Sequence, residues 1–209
     1  MAYEIPANEP DAPWVVEFEV QKSRFITWAA HTPAPADAQA LLQRARAHFP
    51  DARHHCLAFI AGPPGEQRDI GFSDDGEPGG TAGRPMYQAL EGSGLGHIGC
   101  VAIRYFGGIK LGTGGLARAY TKSVTLALEQ LPTITHVPRH ALWLDVSFAG
   151  EQEARFWIEQ QAGKITDAEY TAQGVRLALQ WPNDTPCDIA PLKARLAGEA
   201  TLITSTHAE

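Results

Sequence analysis

No run of about 18 apolar residues occurs in the 209-residue chain, so no membrane-spanning helix is expected. The first residues, Met1-Ala2-Tyr3-Glu4-Ile5-Pro6, lack the basic start and apolar run of a secretory signal. Cysteine is scarce. Cys56, Cys100 and Cys187 are far apart, odd in number and form no Cys-x-x-Cys pair. That argues against a disulfide framework and fits reduced thiols in the cytoplasm. A general excess of positive charge is missing too, and a formal net charge of −7 argues against a basic nucleic-acid coat. Neither Gly-x-Ser-x-Gly nor His-Glu-x-x-His is present, and no thiol has a convincing base beside it. A composition of 44% apolar and 20% charged residues argues against intrinsic disorder and a fibrous repeat.

What the chain has in abundance is glycine. There are 20, and sixteen of them lie between Gly62 and Gly115. Around that segment the patterning is regular. Alternation predicts strands at about 14–20 and 24–30, then a helix up to Phe49 with Ala38, Leu41, Leu42 and Ala45 on its stripe. His54-His55-Cys56 opens a strand at about 55–61, with Cys56, Ala58 and Ile60 on one face. Cysteine in that setting is a small hydrophobe, and no second pair of ligands supports a zinc site. Gly62 to Gly83 reads as one long loop, of the length that is usually functional or disordered. A short helix at about 84–91 and an apolar strand at 97–104 follow. A second glycine loop, 107–115, enters a helix at about 115–131 whose stripe is Leu116, Tyr120, Val124, Ala127, Leu128 and Leu131.

Pro132 and Pro138 mark a linker between two domains, 1–131 and 132–209. The second domain reads as strand, helix, two strands, helix, strand, at about 140–148, 150–161, 164–171, 174–181, a stretch ending near 197, and 199–206. This βαββαβ order is that of a ferredoxin-like sandwich. Trp143, Trp157 and Trp181 are expected in its core. The fold class is therefore α+β with two domains.

The two glycine loops carry opposite charge. Glu66, Asp69, Asp74, Asp75 and Glu77 face only Arg68 in the first, a net of −4. From Gly92 to Leu128 there is no acidic residue, and Arg104, Lys110, Arg118 and Lys122 give +4. Either the loops neutralise each other, or the basic stretch faces an anionic partner. A helix N-terminus offers unpaired N–H groups and about half a positive charge. Gly112, Gly114 and Gly115 would let backbone approach a phosphate closely, Lys110 adds a mobile charge, and Thr113 could cap the helix or touch an oxygen. Arg118 and Lys122 project from neighbouring turns of one face. The spacing matches neither the Walker nor the dinucleotide fingerprint.

The acidic loop, 73–83, allows sharper ideas. Asp74, Asp75 and Glu77 could hold Mg²⁺ beside a phosphate or act as an acid–base pair. They could equally cap helices and pair with Arg104 or Lys110. The ligand set is incomplete, so no metal and no cofactor is assigned. Thr81 is a candidate cap for the following helix.

These loops resemble the IMPACT/YigZ family, in its bacterial branch. The carrying residues are Lys22-Ser23-Arg24-Phe25, Ala52-Arg53-His54-His55-Cys56, Gly71-Phe72-Ser73-Asp74-Asp75-Gly76-Glu77-Pro78 with Gly80-Thr81-Ala82-Gly83 and Pro85, and Arg104-Tyr105-Phe106-Gly107-Gly108-Ile109. Leu111-Gly112-Thr113-Gly114-Gly115-Leu116 and Ala119-Tyr120 complete them. The resemblance covers nearly the whole chain. Gly79 stands where family members often carry Ser or Ala. The resemblance implies an N-terminal α/β domain like a small-subunit ribosomal protein domain and domain IV of elongation factor G. It implies a C-terminal domain like domain V of that factor. Eukaryotic relatives look like translational regulators, although their extra partner-binding domain is absent here. RNA or ribosome binding is inferred from fold.

Three readings follow. The first is a cytoplasmic, translation-linked binding protein that contacts RNA, the ribosome or another phosphate-bearing ligand through Lys110, Arg118, Lys122 and the 107–115 backbone. With about four phosphate contacts its log–log salt slope would be roughly −3 to −4 on a duplex-like target. The second is an enzyme on a small anionic or phosphorylated metabolite, with Asp74, Asp75 and Glu77 facing the glycine loop across a cleft. The third is a protein-interaction module docking through the C-terminal sheet. No membrane partner is expected.

Overall fold

The computed structural model describes residues 1–204. The chain forms two compact units, one of Tyr3–His136 and one of Val137 onward together with Met1–Ala2. Each has α-helices packed on antiparallel sheet, an α+β architecture.

In the larger unit the elements are β1 (Tyr3–Pro6), β2 (Trp14–Val20), β3 (Ser23–His31), α1 (Pro35–His48), β4 (His54–Ile60), β5 (Ile70–Ser73), α2 (Gly83–Ser93), β6 (Ile98–Tyr105), α3 (Gly112–Gln130) and β7 (Thr133–His136). Five strands make one sheet in the order β2-β3-β6-β4-β5. Its central strands are buried on both faces, which explains their unbroken apolar runs. Cys56, Ala58 and Ile60 of β4 meet α2 and α3, while Leu57, Phe59 and Ala61 meet α1 on the other face. The stripe expected on α3 buries Leu116, Tyr120, Val124 and Ala127.

Two local expectations give way to long-range pairing. The first glycine loop is not continuous, because β5 adds to the sheet edge by pairing with β4, Leu57 opposite Ser73. The linker at 132–138 is partly strand. β7 pairs antiparallel with β1, Tyr3 opposite His136, so the compact unit runs past Pro132 to His136.

The second unit contains β8 (Arg139–Val146), a 3-10 turn (Phe148–Gly150), α4 (Glu151–Gln160), β9 (Lys164–Tyr170), β10 (Val175–Pro182), α5 (Ala190–Arg195) and β11 (Ala200–Thr204). The order along the chain is the βαββαβ read from the sequence, and the sheet order is β11-β8-β10-β9. Positions 205 and 206 of the expected last strand lie outside the described residues. Alternation along β8 and β10 sends Leu142, Leu144, Val146, Val175, Leu177 and Leu179 into a core with Trp157 and Trp181. The two indoles stack with centroids 5.4 Å apart. Trp143 is not in that core. It falls between the inward Leu142 and Leu144, so the period of two turns it to the opposite face, half-buried.

Candidate functional site

Residues 61–69 turn at one end of the five-stranded sheet, whereas residues 74–83, the part of the first glycine loop that follows β5, and the second glycine loop lie together at the opposite end. Arg24 lies opposite Tyr105 across β3–β6, and His54 lies opposite Arg104 across β4–β6. The β2–β3 turn, the start of β4 and the end of β6 therefore share that edge. The second glycine loop leaves directly from Tyr105 and enters α3.

Every carboxylate of the signature acidic loop is already engaged. Asp74 accepts the backbone N–H groups of Gly80, Ala82 and Gly83 at 2.7, 2.9 and 2.8 Å. It thus caps α2 from outside the helix. Burial works to raise its carboxyl, but the three N–H groups outweigh burial and hold it below its ordinary value. Thr81, the cap expected from sequence, instead donates its hydroxyl to the carbonyl of Pro78 at 2.6 Å. Asp75 accepts the N–H of His55 at 2.6 Å and Arg46 at 2.7 Å. Glu77 is buried, and its Oε1 accepts both Arg104 and the hydroxyl of Tyr120 at 2.7 Å.

Arg104 continues the network inward. It is 6% exposed and also donates to Ser23 Oγ at 3.4 Å. The same hydroxyl accepts the N–H of Gly107 at 3.4 Å. A Cβ on Gly107 would collide with the backbone of Lys22, so this close approach of turn and loop requires glycine there. The four sequence motifs around Ser23, His55, Asp74–Glu77 and Arg104–Gly107 are thus stitched into one polar cluster. Cys56 belongs to it as a thiol donor to the carbonyl of Asp74 at 3.0 Å. Burial pushes that thiol up to about 12, which leaves it protonated and unreactive at neutral pH.

The basic stretch divides in two. Arg104 is locked by Glu77. Lys110, Gly112, Thr113, Gly114, Arg118 and Lys122 are exposed, with Gly115 half-buried. No carboxylate forms a salt bridge with Lys110, Arg118 or Lys122 among the described residues. The N-terminus of α3 has no side-chain cap, and Thr113 lies within its first turn rather than ahead of it. Gly112 adopts φ +70°, the left-handed region in which glycine turns the chain into the helix without strain. Arg118 folds back toward this end, its Nη1 3.4 Å from where a Cβ on Gly114 would sit. Lys122 places its ammonium 5.0 Å over the Phe18 ring. An open groove of about 510 Å³ runs beside it, lined by Pro85, Gln88, Arg118, Thr121 and Lys122 and, further along α3, by the acidic Glu129.

The two loops therefore do not simply neutralise each other. The acids are consumed by α2, α1, β4 and the buried Arg104, and the exposed cations of α3 and its leading loop keep their charge. The acid–base pair considered for Asp74, Asp75 and Glu77 has no unengaged member. Sequence reasoning missed Arg46 and Tyr120 as partners of the acidic loop, and Ser23 as the acceptor that joins Arg104 to Gly107. Tyr120 was visible as a stripe residue and as part of the family signature, and neither signal pointed to its hydroxyl. A ring cluster of Tyr3, His31, His97 and His136 was missed entirely, since its members are scattered along the chain. Tyr3 Oη and His97 Nε2 are 2.7 Å apart, with His31 and His136 packed against the His97 ring.

These features define a two-unit α+β protein whose larger unit carries an acidic signature loop with all three carboxylates engaged and, on α3, an uncapped helix end with exposed cations. The family model described as the Impact N-terminal domain matches residues 21–128. The chain is 47% identical to IMPACT family member YigZ of Escherichia coli over 163 residues, 78% of this chain and 80% of that protein. It is 49% identical to an IMPACT family member of Haemophilus influenzae over 165 residues, 79% of this chain and 78% of that one. A solved structure described as the crystal structure of an hypothetical protein aligns with a TM-score of 0.71 at 41% identity, covering 99% of this chain and 98% of that one. The chain belongs to the IMPACT family. No helix among the described residues is long and apolar enough to cross a membrane.

Proposed function

We propose that this protein is a cytoplasmic, translation-linked binding protein that contacts RNA phosphates through the exposed end of α3 and the loop leading into it. One observation carries the reading. In a chain of net charge −7, Lys110 and Arg118 at the uncapped N-terminus of α3, and Lys122 further along the helix, form no salt bridge among the described residues, while Asp74, Asp75 and Glu77 are held by other partners. Orphan N–H groups, Lys110 and the folded-back Arg118 lie at that end, and Lys122 extends the basic face about two turns further along α3, an arrangement that favours successive phosphates of a chain. The domain reading supports it by analogy. Residues 1–131 resemble the elongation factor G domain IV type, and 132–209 read as ferredoxin-like, like domain V, for which the sheet order β11-β8-β10-β9 speaks. Regulation of translation and ribosome association belong to this same proposal.

With Arg104 withdrawn into the core, three cations remain for phosphate. The log–log salt slope of RNA binding should then be about −2 to −3. The test is co-sedimentation with ribosomes and binding of purified RNA across a salt series. The triple variant Lys110→Ala, Arg118→Ala, Lys122→Ala should flatten the slope toward zero. A salt-independent interaction, or an unchanged slope in that variant, would sink the proposal.

A further inference from the structure

The glycine loop beside the basic helix end carries two large apolar side chains that the core does not take. Phe106 is 54% exposed and Ile109 is 43% exposed. Both belong to a loop whose neighbours are glycines and whose charged neighbour is Lys110. A solvent-facing phenyl ring flanked by cations is poorly explained by stability alone, because burying such a ring is worth about 1.5–3 kcal/mol.

The ring is also held in place. The guanidinium carbon of Arg104 lies 5.6 Å over the Phe106 ring. Arg104 cannot follow a ligand, since Glu77 and Ser23 fix it inside the sheet end. Tyr105, the preceding residue, is tied to Asp51 through its hydroxyl at 3.2 Å and has Arg24 5.8 Å over its ring. The backbone of Gly107 packs directly against Lys22, which is itself exposed on the β2–β3 turn. The tip therefore presents a supported aromatic ring in a loop that carries the exposed Lys110 and packs against the turn carrying the exposed Lys22. Arg24 is held by both carboxylate oxygens of Glu17, and no acidic residue occurs from Gly92 to Leu128.

We propose that this tip is a stacking platform for unpaired nucleobases, so that the RNA taken by the protein is single-stranded where it crosses Phe106. The inference rests on the phosphate-binding reading above and deepens it. Cations alone do not distinguish a duplex from a single strand. An exposed ring does, because the base faces of a duplex are already stacked on each other, whereas splayed bases offer a free π-face. Phosphates on either side of the stacked base would meet Lys110 and the N-terminus of α3. Gly108, with no side chain and open space around it, puts no bulk beside the ring.

The test compares a short fluorescein-labelled oligoadenylate with a blunt duplex RNA of the same length, by anisotropy on the full chain. The single strand should bind more tightly. Phe106→Ala should weaken it roughly ten- to hundredfold, the effect of losing one stacked base, and leave duplex binding unchanged. Phe106→Tyr should retain the affinity and Phe106→Leu should not, which separates a π-face from mere apolar bulk. Equal binding of both RNAs, with Phe106→Ala silent and Lys110→Ala weakening both, would overturn the platform and leave the phosphate reading intact. Failure of both RNAs to bind would remove the two together. A dimer in sedimentation that Phe106→Ala dissolves would also overturn it, since the ring would then be covered by a second copy of the chain.

Discussion

At the scale of single residues, the acidic signature changes character between sequence and structure. Three carboxylates in one loop suggest chemistry, yet each is committed to donors of the protein itself. The Glu77–Arg104 pair is the most deeply placed, with side-chain exposures of 3% and 7%. Removing one partner leaves an uncompensated buried charge, a loss of about 3–5 kcal/mol. Glu77→Ala should therefore lower the unfolding free energy in urea by that amount, and Arg104→Met in the same chain should restore part of it. A loss under about 1 kcal/mol would show that the pair is not the clasp described. Glycines divide in the same way. Gly107→Ala must push aside the backbone of Lys22 and should destabilise by about 1–3 kcal/mol, whereas Gly79→Ala meets open space and should stay within about 0.5 kcal/mol. Thermal unfolding of the two variants side by side checks the contrast. Glycine density marked the region, but it could not tell an obligatory glycine from a permissive one.

At the scale of elements, α2 and α3 begin differently. α2 has its first N–H groups taken by Asp74 from eight and nine residues upstream, outside the usual capping spacing. Asp74→Ala should cost about 1–2 kcal/mol and speed hydrogen exchange at Gly80, Ala82 and Gly83. The sign with pH follows from the lowered carboxyl. Its contribution is complete above the ordinary value of 3.8 and is lost as pH falls through the lower folded value. The wild type should lose more stability across that acid range than Asp74→Ala does. α3 is left uncapped, and that contrast is what leaves its end available to a ligand. The apolar stripe of α3 was readable because its spacing is local. Its partnerlessness was not readable, because it depends on where Asp74, Asp75 and Glu77 are drawn.

At the scale of the whole molecule, several histidines lie where burial favours the neutral ring, His55 fully and His97 and His136 half-buried. Burial lowers His55, His97 and His136 from the ordinary value of 6.5, and the mutual approach of His31, His97 and His136 adds to the effect on His97 and His136. A lowered histidine favours folding above the unfolded value, and the contribution is lost as pH falls through the folded value. The melting temperature should therefore drop as pH is taken below about 6.5. His97→Gln should make that drop shallower, and a profile identical to wild type would remove the ring cluster as its cause. The thiols differ by depth as well. Cys56 and Cys100 are fully buried and Cys187 is half-exposed, so a thiol reagent on the native protein should label Cys187 first.

The amino-acid sequence by itself determined most elements, the two-part organisation, the family signature and the opposite charge of the two loops. Periodicity, turn residues and charge runs act within a few residues, so they can be read without knowing the fold. Tertiary structure decided what those loops do. It brought Arg104 to Glu77 across 27 positions, Tyr120 to Glu77 across 43 and Arg46 to Asp75 across 29. It also paired β1 with β7 and turned Trp143 away from the core. Such outcomes depend on which side chains the sheet sets at the same edge, and Coulomb and hydrogen-bond energies favour the partner that lies nearest in space. That selection consumed the acids and left Lys110, Arg118, Lys122 and Phe106 facing outward.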